Sequence, residues 1–323
     1  MLPDGLIYYP DSQPGISRRR CGRGFSYRAP DGTTIADTDM RRRIDALAVP
    51  PAYNHVWISP RLNGHLQATG YDAATRKQYR YHPDWTRFRA NRKFEDLPRF
   101  GHALPRLRAA IRTGLEAEPG SRDFVLAAVL GLIDRLSLRP GHPDYAEANG
   151  SFGATTLRSR HLLADEDGTR LRFLAKGGQK VSKTLRDKTL ARALHKLDDL
   201  PGAPIATWLE GDEVRTVSPD MLASFMADVT GEDGLTPKTF RTWNGSVAAM
   251  DVALSNDDLT ISAMADAAAK RLNNTPTMAR NSYIHPEVIA LSETEPDVRK
   301  ILADATTPTR LRRSERALLN LIG

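Results

Sequence analysis

Up to about residue 85, the hydrophobic pattern of the chain is that of short β-strands. Short runs rich in Val, Ile, Trp and Tyr occur at residues 6–9 and 56–58 and on either side of residues 72–74, and such runs are typical of strands. A Pro-Asp-Gly sequence at residues 30–32 has the composition of a tight turn and predicts a hairpin. One helix is predicted among the strands, because the apolar residues between 39 and 47 recur at helical spacing. A small, mainly β domain is therefore expected.

Beyond about residue 90 the pattern becomes mostly helical. Residues 123–138 are almost continuously apolar, which predicts a helix that is buried on all sides. Residues 171–181 are an exception, because they form the pattern of a β-hairpin with Lys176 beside two glycines at its tip. An Ala-rich helix is predicted at residues 259–272 and ends at Asn273-Asn274, since asparagine tolerates the left-handed conformation that terminates helices.

A short helix that carries a tyrosine is predicted directly after these asparagines. Thr275 suits the N-cap, and Pro276 suits the first helical position, where its missing N–H is not needed. The helix is expected to end near residue 284, because Pro286 cannot continue it. A tyrosine in such a helix is usually a core residue, but only two of the chain's nine tyrosines, Tyr145 and Tyr283, lie after residue 120.

The distribution of charge indicates a polyanionic partner. The 323 residues carry a net charge of +7, and residues 1–120 contain 20 Lys and Arg against 12 Asp and Glu, so the whole positive excess lies in this first part. A chain of this length is sufficient for two domains. Cys21 is the only cysteine, which excludes an intramolecular disulfide and a cysteine-based zinc cluster and fits a reducing compartment.

Several other classes of function are not favoured by the sequence. No apolar run is long enough to span a membrane, and the N-terminus lacks the core of a signal peptide, so we expect a cytoplasmic protein. The Gly-Gly-Gln-Lys sequence at residues 177–180 does not have the spacing of a nucleotide-binding P-loop, and neither a Gly-x-Gly-x-x-Gly nor a His-Glu-x-x-His motif occurs. Neither a nucleotide nor a metal site is predicted.

A strand at residues 76–82 alternates basic and aromatic side chains. Tyr79 and Tyr81 are expected on one face, with Gln78 and Arg80 on the other. Aromatic rings with flanking cations and amides are suited to a sugar–phosphate backbone or to the edges of bases. The alternative is an amphipathic edge strand without a ligand.

The second half of the chain contains the residue types that a phosphoryl transfer to a tyrosine requires. Two arginines can neutralise the negative charge on the non-bridging oxygens of a phosphodiester, an amide can donate to the same oxygens, and a lysine can protonate the leaving oxygen. A tyrosine nucleophile conserves the bond in a covalent phosphotyrosine. Arg139, Arg241, Asn274, Lys176 and Tyr283 supply these types, although spacing alone does not single them out.

The chain resembles the type IB DNA topoisomerases, specifically the compact bacterial and poxvirus-like enzymes. The matching motifs occur in the order of the family and extend over nearly the whole chain. They are Lys77-Gln78-Tyr79-Arg80-Tyr81, Arg139-Pro140-Gly141 with Tyr145, the segment from Gly153 to His161, Phe173-Leu174-Ala175-Lys176, Phe240-Arg241-Thr242-Trp243, and Asn274-Thr275-Pro276 with Tyr283.

The resemblance implies a role for each of the five residues. Arg139 and Arg241 match the phosphate-binding arginines of the family, and Lys176 matches its general acid. Asn274 stands where family members have a His or Asn that donates to a phosphate oxygen, and Tyr283 matches the nucleophile. The implied reaction forms a 3′-phosphotyrosine, lets the DNA rotate and then reseals the strand, and it requires neither a metal nor ATP.

The resemblance also implies an α+β protein of two domains that closes as a clamp around duplex, supercoiled DNA. A β-rich DNA-binding domain is expected at residues 1–85, and a mostly α-helical catalytic domain at residues 86–323. A monomer is expected, because one chain carries every catalytic part, and it is expected to be associated with the nucleoid. The expected DNA contacts are Gln78, Tyr79, Arg80, Tyr81, His142, Tyr145 and Arg158.

Two positions depart from the pattern of the family, and two other functions compete with it. Ala175 and Asn273 stand where many relatives have glycine, which stiffens the tip of the hairpin in the first case and is tolerated in the second. A tyrosine site-specific recombinase shares the chemistry, but the His-x-x-Arg box that recombinases usually carry before the tyrosine is absent from the sequence. A non-enzymatic, basic DNA-binding protein explains the charge but not the ordered motifs.

Overall fold

The computed structural model describes residues 2–166, 168–199, 204–303 and 310–323. The chain divides into two compact units, Met1–Arg92 and Lys93–Gly323. The first is built on a β-sheet and the second is mainly helical, which confirms the predicted α+β class. In the described part of the chain, no helix combines the length and the apolar character that crossing a membrane requires.

The first unit is a five-stranded antiparallel sheet with one helix. Its elements are β1 (Ile16–Cys21), β2 (Gly24–Arg28), α1 (Thr38–Ala46), β3 (Asn54–Ile58), β4 (Leu66–Tyr71) and β5 (Lys77–Tyr81). The strands lie in the order β2-β1-β3-β4-β5. The core is formed by Ile16, Val56, Ile58 and Ala68 from the sheet, with Ile44 from the predicted face of α1 packed against them.

Two predictions in this unit need correction. Residues 6–9 are not a strand: Ile7 forms a single parallel bridge, because its N–H donates to the Asn63 carbonyl and its carbonyl accepts from the N–H of His65. The turn at residues 30–32 is present, with Gly32 at a φ of 86°, but the chain beyond it pairs only through one bridge between Arg28 and Thr34. The hairpin of β1 and β2 turns earlier, at residues 22 and 23.

The second unit combines two small sheets with a helical core. Its elements are α2 (Pro83–Glu95), which begins in the first unit, α3 (Leu97–Gly114), α4 (Arg122–Leu136), α5 (Pro143–Asn149), β6 (Leu162–Asp165), β7 (Gly168–Ala175), β8 (Gln179–Leu185), α6 (Lys188–Asp198), β9 (Thr207–Glu210), β10 (Glu213–Thr216), α7 (Pro219–Thr230), α8 (Thr239–Ser255), α9 (Ile261–Leu272), α10 (Pro276–Tyr283), α11 (Pro286–Ala290), α12 (Pro296–Ile301) and α13 (Arg313–Ile322). Strands β6, β7 and β8 form one antiparallel sheet, and β9 pairs with β10.

Helices α4 and α8 are buried along most of their length. Helix α4 begins at the N-cap Ser121 and is apolar on every side, as its sequence predicts. In α8, Phe240 and Trp243 are fully buried, and both rings pack edge-on against Phe100 of α3, with centroid distances of 4.9 and 5.8 Å. These contacts place α8 in the core of the second unit, packed against α3.

A buried ionic network connects α3, α4 and α13. Arg108 donates two hydrogen bonds to the carboxylate of Asp134, at 2.9 and 3.0 Å, and two to Glu315, at 2.9 and 2.7 Å. Both carboxylates are buried. Burial by itself raises the pKa of Glu315, but hydrogen bonds and charge from Arg108, together with Arg312, lower it overall. The arginine is therefore the compensating charge for both acids.

We expect Arg108→Met to lower the free energy of unfolding by about 3–5 kcal/mol, because the buried carboxylate of Asp134 loses its ion-pair partner and that of Glu315 keeps only Arg312. Arg99→Met on the same helix is the matched control. Arg99 pairs with Glu232 on the surface and is 44% exposed, so its loss is expected to cost less than about 1 kcal/mol. Urea unfolding followed by tryptophan fluorescence measures both values, and equal losses in the two variants contradict the expectation.

Candidate active site

Two helix ends in the second unit have the same construction. Helix α4 is followed by Ser137 and helix α9 by Asn273, and both residues adopt the left-handed conformation, with φ of 56° and 53°. Arg139 lies two residues after Ser137, and Asn274 directly follows Asn273. The left-handed residue turns the chain sharply at each helix end, so each of these side chains leaves its helix in a defined direction.

The backbone around Arg139 is held by a neighbouring segment. The N–H of Ala154 donates to the Arg139 carbonyl at 2.8 Å, and the N–H of Thr155 donates to the Pro140 carbonyl at 2.7 Å. Gly141 has a φ of 99°, and the two segments are so close that a Cβ atom on Gly153 would lie 2.6 Å from the Gly141 nitrogen. The close contact explains why glycines are needed at both positions.

Arg241 on α8 connects the two helix ends. Its side chain is only 3% exposed; Nη1 donates to the Ser137 carbonyl, and Nη2 donates to the Leu272 carbonyl at 3.0 Å. Burial, together with the nearby charge of Arg139, lowers the pKa of Arg241 to about 10, and Tyr283 partly opposes this shift. Arg241 therefore remains a cation at neutral pH and satisfies one carbonyl at each helix end.

Asn274 lies between the two arginines. Its Oδ1 accepts a hydrogen bond from Nη2 of Arg139 at 2.6 Å and a longer one from Nη2 of Arg241 at 3.5 Å. The Nδ2 of Asn274 and the Nε of Arg241 are buried, and neither has a hydrogen-bond partner among the described residues. Unpaired buried donors are uncommon in proteins, and three cationic or amide side chains in contact are suited to an anion.

Tyr283 completes this group from the end of α10. Helix α10 begins as predicted, with Thr275 as the N-cap that accepts from Met278 and with Pro276 at the first position. The ring centroid of Tyr283 lies 5.3 Å from Cζ of Arg241. The structure thus brings together Arg139 and Asn274, from the turns after α4 and α9, with Arg241 of α8 and Tyr283 of α10.

Lys176 lies apart from these four residues. It is exposed at the tip between β7 and β8, followed by Gly177 and Gly178 at φ of 79° and 71°. Among the described residues, no hydrogen bond or ion pair joins the Lys176 ammonium to another side chain or carbonyl. The predicted hairpin is confirmed, whereas contact between Lys176 and the other four residues is not observed.

Two residues that the sequence did not single out position the backbone of Tyr283. Ser246 donates from Oγ to the Tyr283 carbonyl at 3.2 Å and accepts at the same atom from the N–H of His285 at 2.9 Å. A Cβ atom on Gly245 would lie 2.6 Å from the same carbonyl. Gly245 follows Arg241 by four residues on α8, so helical spacing is the one signal that could have identified it.

The four predicted contact residues of the first unit lie on β5. Tyr79 and Tyr81 stack with a centroid distance of 5.9 Å, which confirms that they share one face, and they are 48% and 38% exposed. Gln78 donates to the carboxylate of Asp72 at 3.0 Å, and Arg80 donates to the Ala48 carbonyl at 3.1 Å. The two stacked rings therefore form an exposed aromatic surface on this strand.

Of the three predicted contact residues of the second unit, His142 and Tyr145 lie at α5, and Arg158 lies within the segment from Gly153 to His161. His142 caps α5 by accepting from the N–H of Asp144, and its ring lies 6.0 Å from that of Tyr145, which is 56% exposed. The Arg158 guanidinium lies 5.7 Å from the Phe152 ring centroid, and its backbone N–H donates to His161 at 3.0 Å. Burial, with the charges of Arg160 and Arg158, lowers the pKa of His161 to about 4, so a neutral ring accepts this bond.

Comparison with known proteins assigns the family. Residues 24–72 match the family described as "Bacterial DNA topoisomerase IB, N-terminal domain", and residues 82–294 match "Eukaryotic DNA topoisomerase I, catalytic core". The DNA topoisomerase 1B of Acanthamoeba polyphaga mimivirus is 25% identical to the chain over an alignment of 299 residues, which covers 88% of this chain and 89% of that protein. The catalytic-core match alone extends over about two thirds of the chain, and the chain therefore belongs to the type IB DNA topoisomerases.

Proposed function

We propose that this topoisomerase relaxes supercoiled duplex DNA by breaking and resealing one strand through a covalent bond to Tyr283. The observation that carries this assignment of residues is the contact of Arg139, Arg241 and Asn274 next to the Tyr283 ring, with two buried donors that have no partner in the described part of the chain. A phosphodiester supplies the acceptors that these donors lack.

In the first step, the phenolic oxygen of Tyr283 attacks the phosphorus atom and gives up its proton to water. The new bond from oxygen to phosphorus forms as the bond to the 5′ oxygen of the next nucleotide breaks, which leaves a 3′-phosphotyrosine. Negative charge increases on the non-bridging oxygens in the transition state. Arg139 and Arg241 stabilise it as permanent cations, and the amide of Asn274 donates to the same oxygens.

Lys176 protonates the departing 5′ oxygen. Because it is exposed at the tip of a hairpin, it must move to the leaving group when DNA binds, and the two following glycines give the tip backbone freedom for this movement. A general acid of this kind contributes about 10²–10⁴-fold to the rate. The same lysine accepts the proton again when the 5′-hydroxyl attacks the phosphotyrosine and reseals the strand.

The DNA contacts are expected from both units. Tyr79 and Tyr81 offer exposed rings, Gln78 and Arg80 flank them, and the positive excess of the first 120 residues favours a polyanion. In the second unit the proposed contacts are His142, Tyr145 and Arg158.

We propose that residues 1–85 act as a DNA-binding domain and residues 86–323 as the catalytic domain, in a monomer that encloses the DNA as a clamp. Such a monomer acts at the nucleoid of the cytoplasm and uses neither a metal nor ATP.

We expect Tyr283→Phe to abolish both relaxation of supercoiled plasmid and formation of the covalent adduct, while DNA binding is retained. Phenylalanine keeps the ring over Arg241 but lacks the nucleophilic oxygen. Relaxation is measured with EDTA and without nucleotide, and the adduct is measured by gel shift under denaturing conditions.

A covalent adduct in Tyr283→Phe excludes this tyrosine as the nucleophile. If the wild-type chain forms an adduct but exchanges strands between two duplexes instead of relaxing one, it acts as a recombinase. If the chain binds DNA but forms no adduct, a purely binding role remains.

We expect Lys176→Ala to slow single-turnover cleavage by about 10²–10⁴-fold, and a 5′-bridging phosphorothiolate to restore the rate, because a thiolate leaves without a proton. Lys180→Ala is the matched control, since Lys180 is also exposed on the same hairpin. Loss of rate without rescue by the phosphorothiolate, or equal loss in both variants, removes Lys176 as the acid.

A further inference from the structure

A lysine occupies a position of β8 where the pattern of the strand calls for an apolar side chain. Val181, Lys183 and Leu185 alternate along β8 and therefore share one face, and the two apolar residues are 5% and 1% exposed. An ammonium group on a core-facing position costs free energy unless its protons are bonded. The presence of Lys183 there requires partners that make the charge favourable.

The ammonium of Lys183 donates to the two helix ends that carry the candidate active site. One hydrogen bond of 2.7 Å reaches the Leu136 carbonyl, at the end of α4, and a second reaches the Arg271 carbonyl, near the end of α9. The carbonyls of the next residue at each helix end, Ser137 and Leu272, accept hydrogen bonds from Arg241. Terminal helical carbonyls lack partners within their helix and carry partial negative charge, which suits two cations.

Lys183 also joins both helix ends to the hairpin carrying Lys176, whereas Asn273 connects only the end of α9 to it, through Gln179 and the Lys180 carbonyl. Lys183 follows Lys176 by seven residues, and its strand pairs with β7 through Leu171 directly opposite. Arg241 does not make this connection, because it lies on α8. The Lys183 side chain therefore bonds the two helix ends that precede Arg139 and Asn274, and Lys183 itself belongs to the hairpin that carries Lys176.

On the basis of the roles proposed above for Arg139, Asn274 and Lys176, we propose that Lys183 is a positioning residue for DNA cleavage, which aligns the hairpin of the general acid with the two helix ends that bind the phosphate. It acts through its two hydrogen bonds and does not touch the reacting atoms.

The electrostatic surroundings agree with a specialised role. Burial, together with the charges of Arg271, Arg241 and Arg139, lowers the pKa of Lys183 to about 7. Arg271 donates to the Asp134 carbonyl at 3.4 Å. Burial and the charge of Arg312 lower the pKa of Arg271, and the carboxylates of Asp134, Asp251 and Glu315 partly oppose this shift. Each of the three arginines that lower the pKa of Lys183 opposes its charge, so its two hydrogen bonds to helix-end carbonyls are the interactions that favour the ammonium form.

The test compares Lys183→Met, Lys183→Arg and the control Lys180→Met in the full chain. Methionine keeps the apolar stem and removes both hydrogen bonds, whereas arginine can donate to two carbonyls at once. We expect Lys183→Met to slow single-turnover cleavage at saturating DNA by about 100-fold, because small misplacements of catalytic groups have effects of this size. The dissociation constant for DNA should stay near that of the wild type.

We expect Lys183→Arg to recover most of the lost rate and Lys180→Met to cleave like the wild type. A 5′-bridging phosphorothiolate should partly restore Lys183→Met, since the misplaced general acid is then no longer needed, whereas positioning of the phosphate is still impaired. Thermal unfolding of each variant separates loss of folding from loss of alignment.

The proposal is overturned if Lys183→Met cleaves at the rate of Lys180→Met. It is also overturned if Lys183→Arg and Lys183→Met lose the same cleavage rate and both unfold at a lower temperature than the wild type, because the loss then follows from stability. It is also overturned if the phosphorothiolate rescues Lys176→Ala but has no effect on Lys183→Met. Failure of the proposed function looks different, because the wild-type chain then forms no adduct or Tyr283→Phe still forms one.

Discussion

The hydrogen bonds of the buried Arg241 guanidinium are the interaction on which the candidate active site depends. One guanidinium donates to the Ser137 and Leu272 carbonyls and so fixes the ends of α4 and α9 relative to each other. A permanent charge that is 3% exposed is tolerable only with such partners. The same group lies below the Tyr283 ring, so a single side chain relates the phosphate-binding residues to the tyrosine.

The hydrophobic core provides the rigidity that this arrangement needs. Helix α8 is buried through Phe240 and Trp243, and on the same helix Arg241, Gly245 and Ser246 contact the segment that ends at Tyr283. Helix α4 is buried on all sides and delivers Arg139 just beyond its end. Because packed helices do not shift without opening cavities, the polar groups at their ends remain in register.

Most local structure could be predicted from the pattern of the chain. The apolar helix at residues 123–138, the hairpin with Lys176 at its tip and the N-cap at Thr275 all depend on neighbouring residues, and all three are present. The strand expected at residues 6–9 is wrong, because a strand needs a partner and only Ile7 finds one. Lys183 went unnoticed, because on a strand an isolated lysine usually faces water.

The sequence by itself determined the caps, the left-handed turn at Asn273, the order of the motifs and, through those motifs, the family. Only the tertiary structure decided that Arg139 and Asn274, which lie 135 residues apart, share a hydrogen bond of 2.6 Å, and that Lys183 and Arg241 bond the carbonyls of the same two helices. Caps and turns follow from interactions within a few residues, which a local pattern encodes. Contacts between distant segments follow from how whole helices pack, and no local pattern specifies that packing.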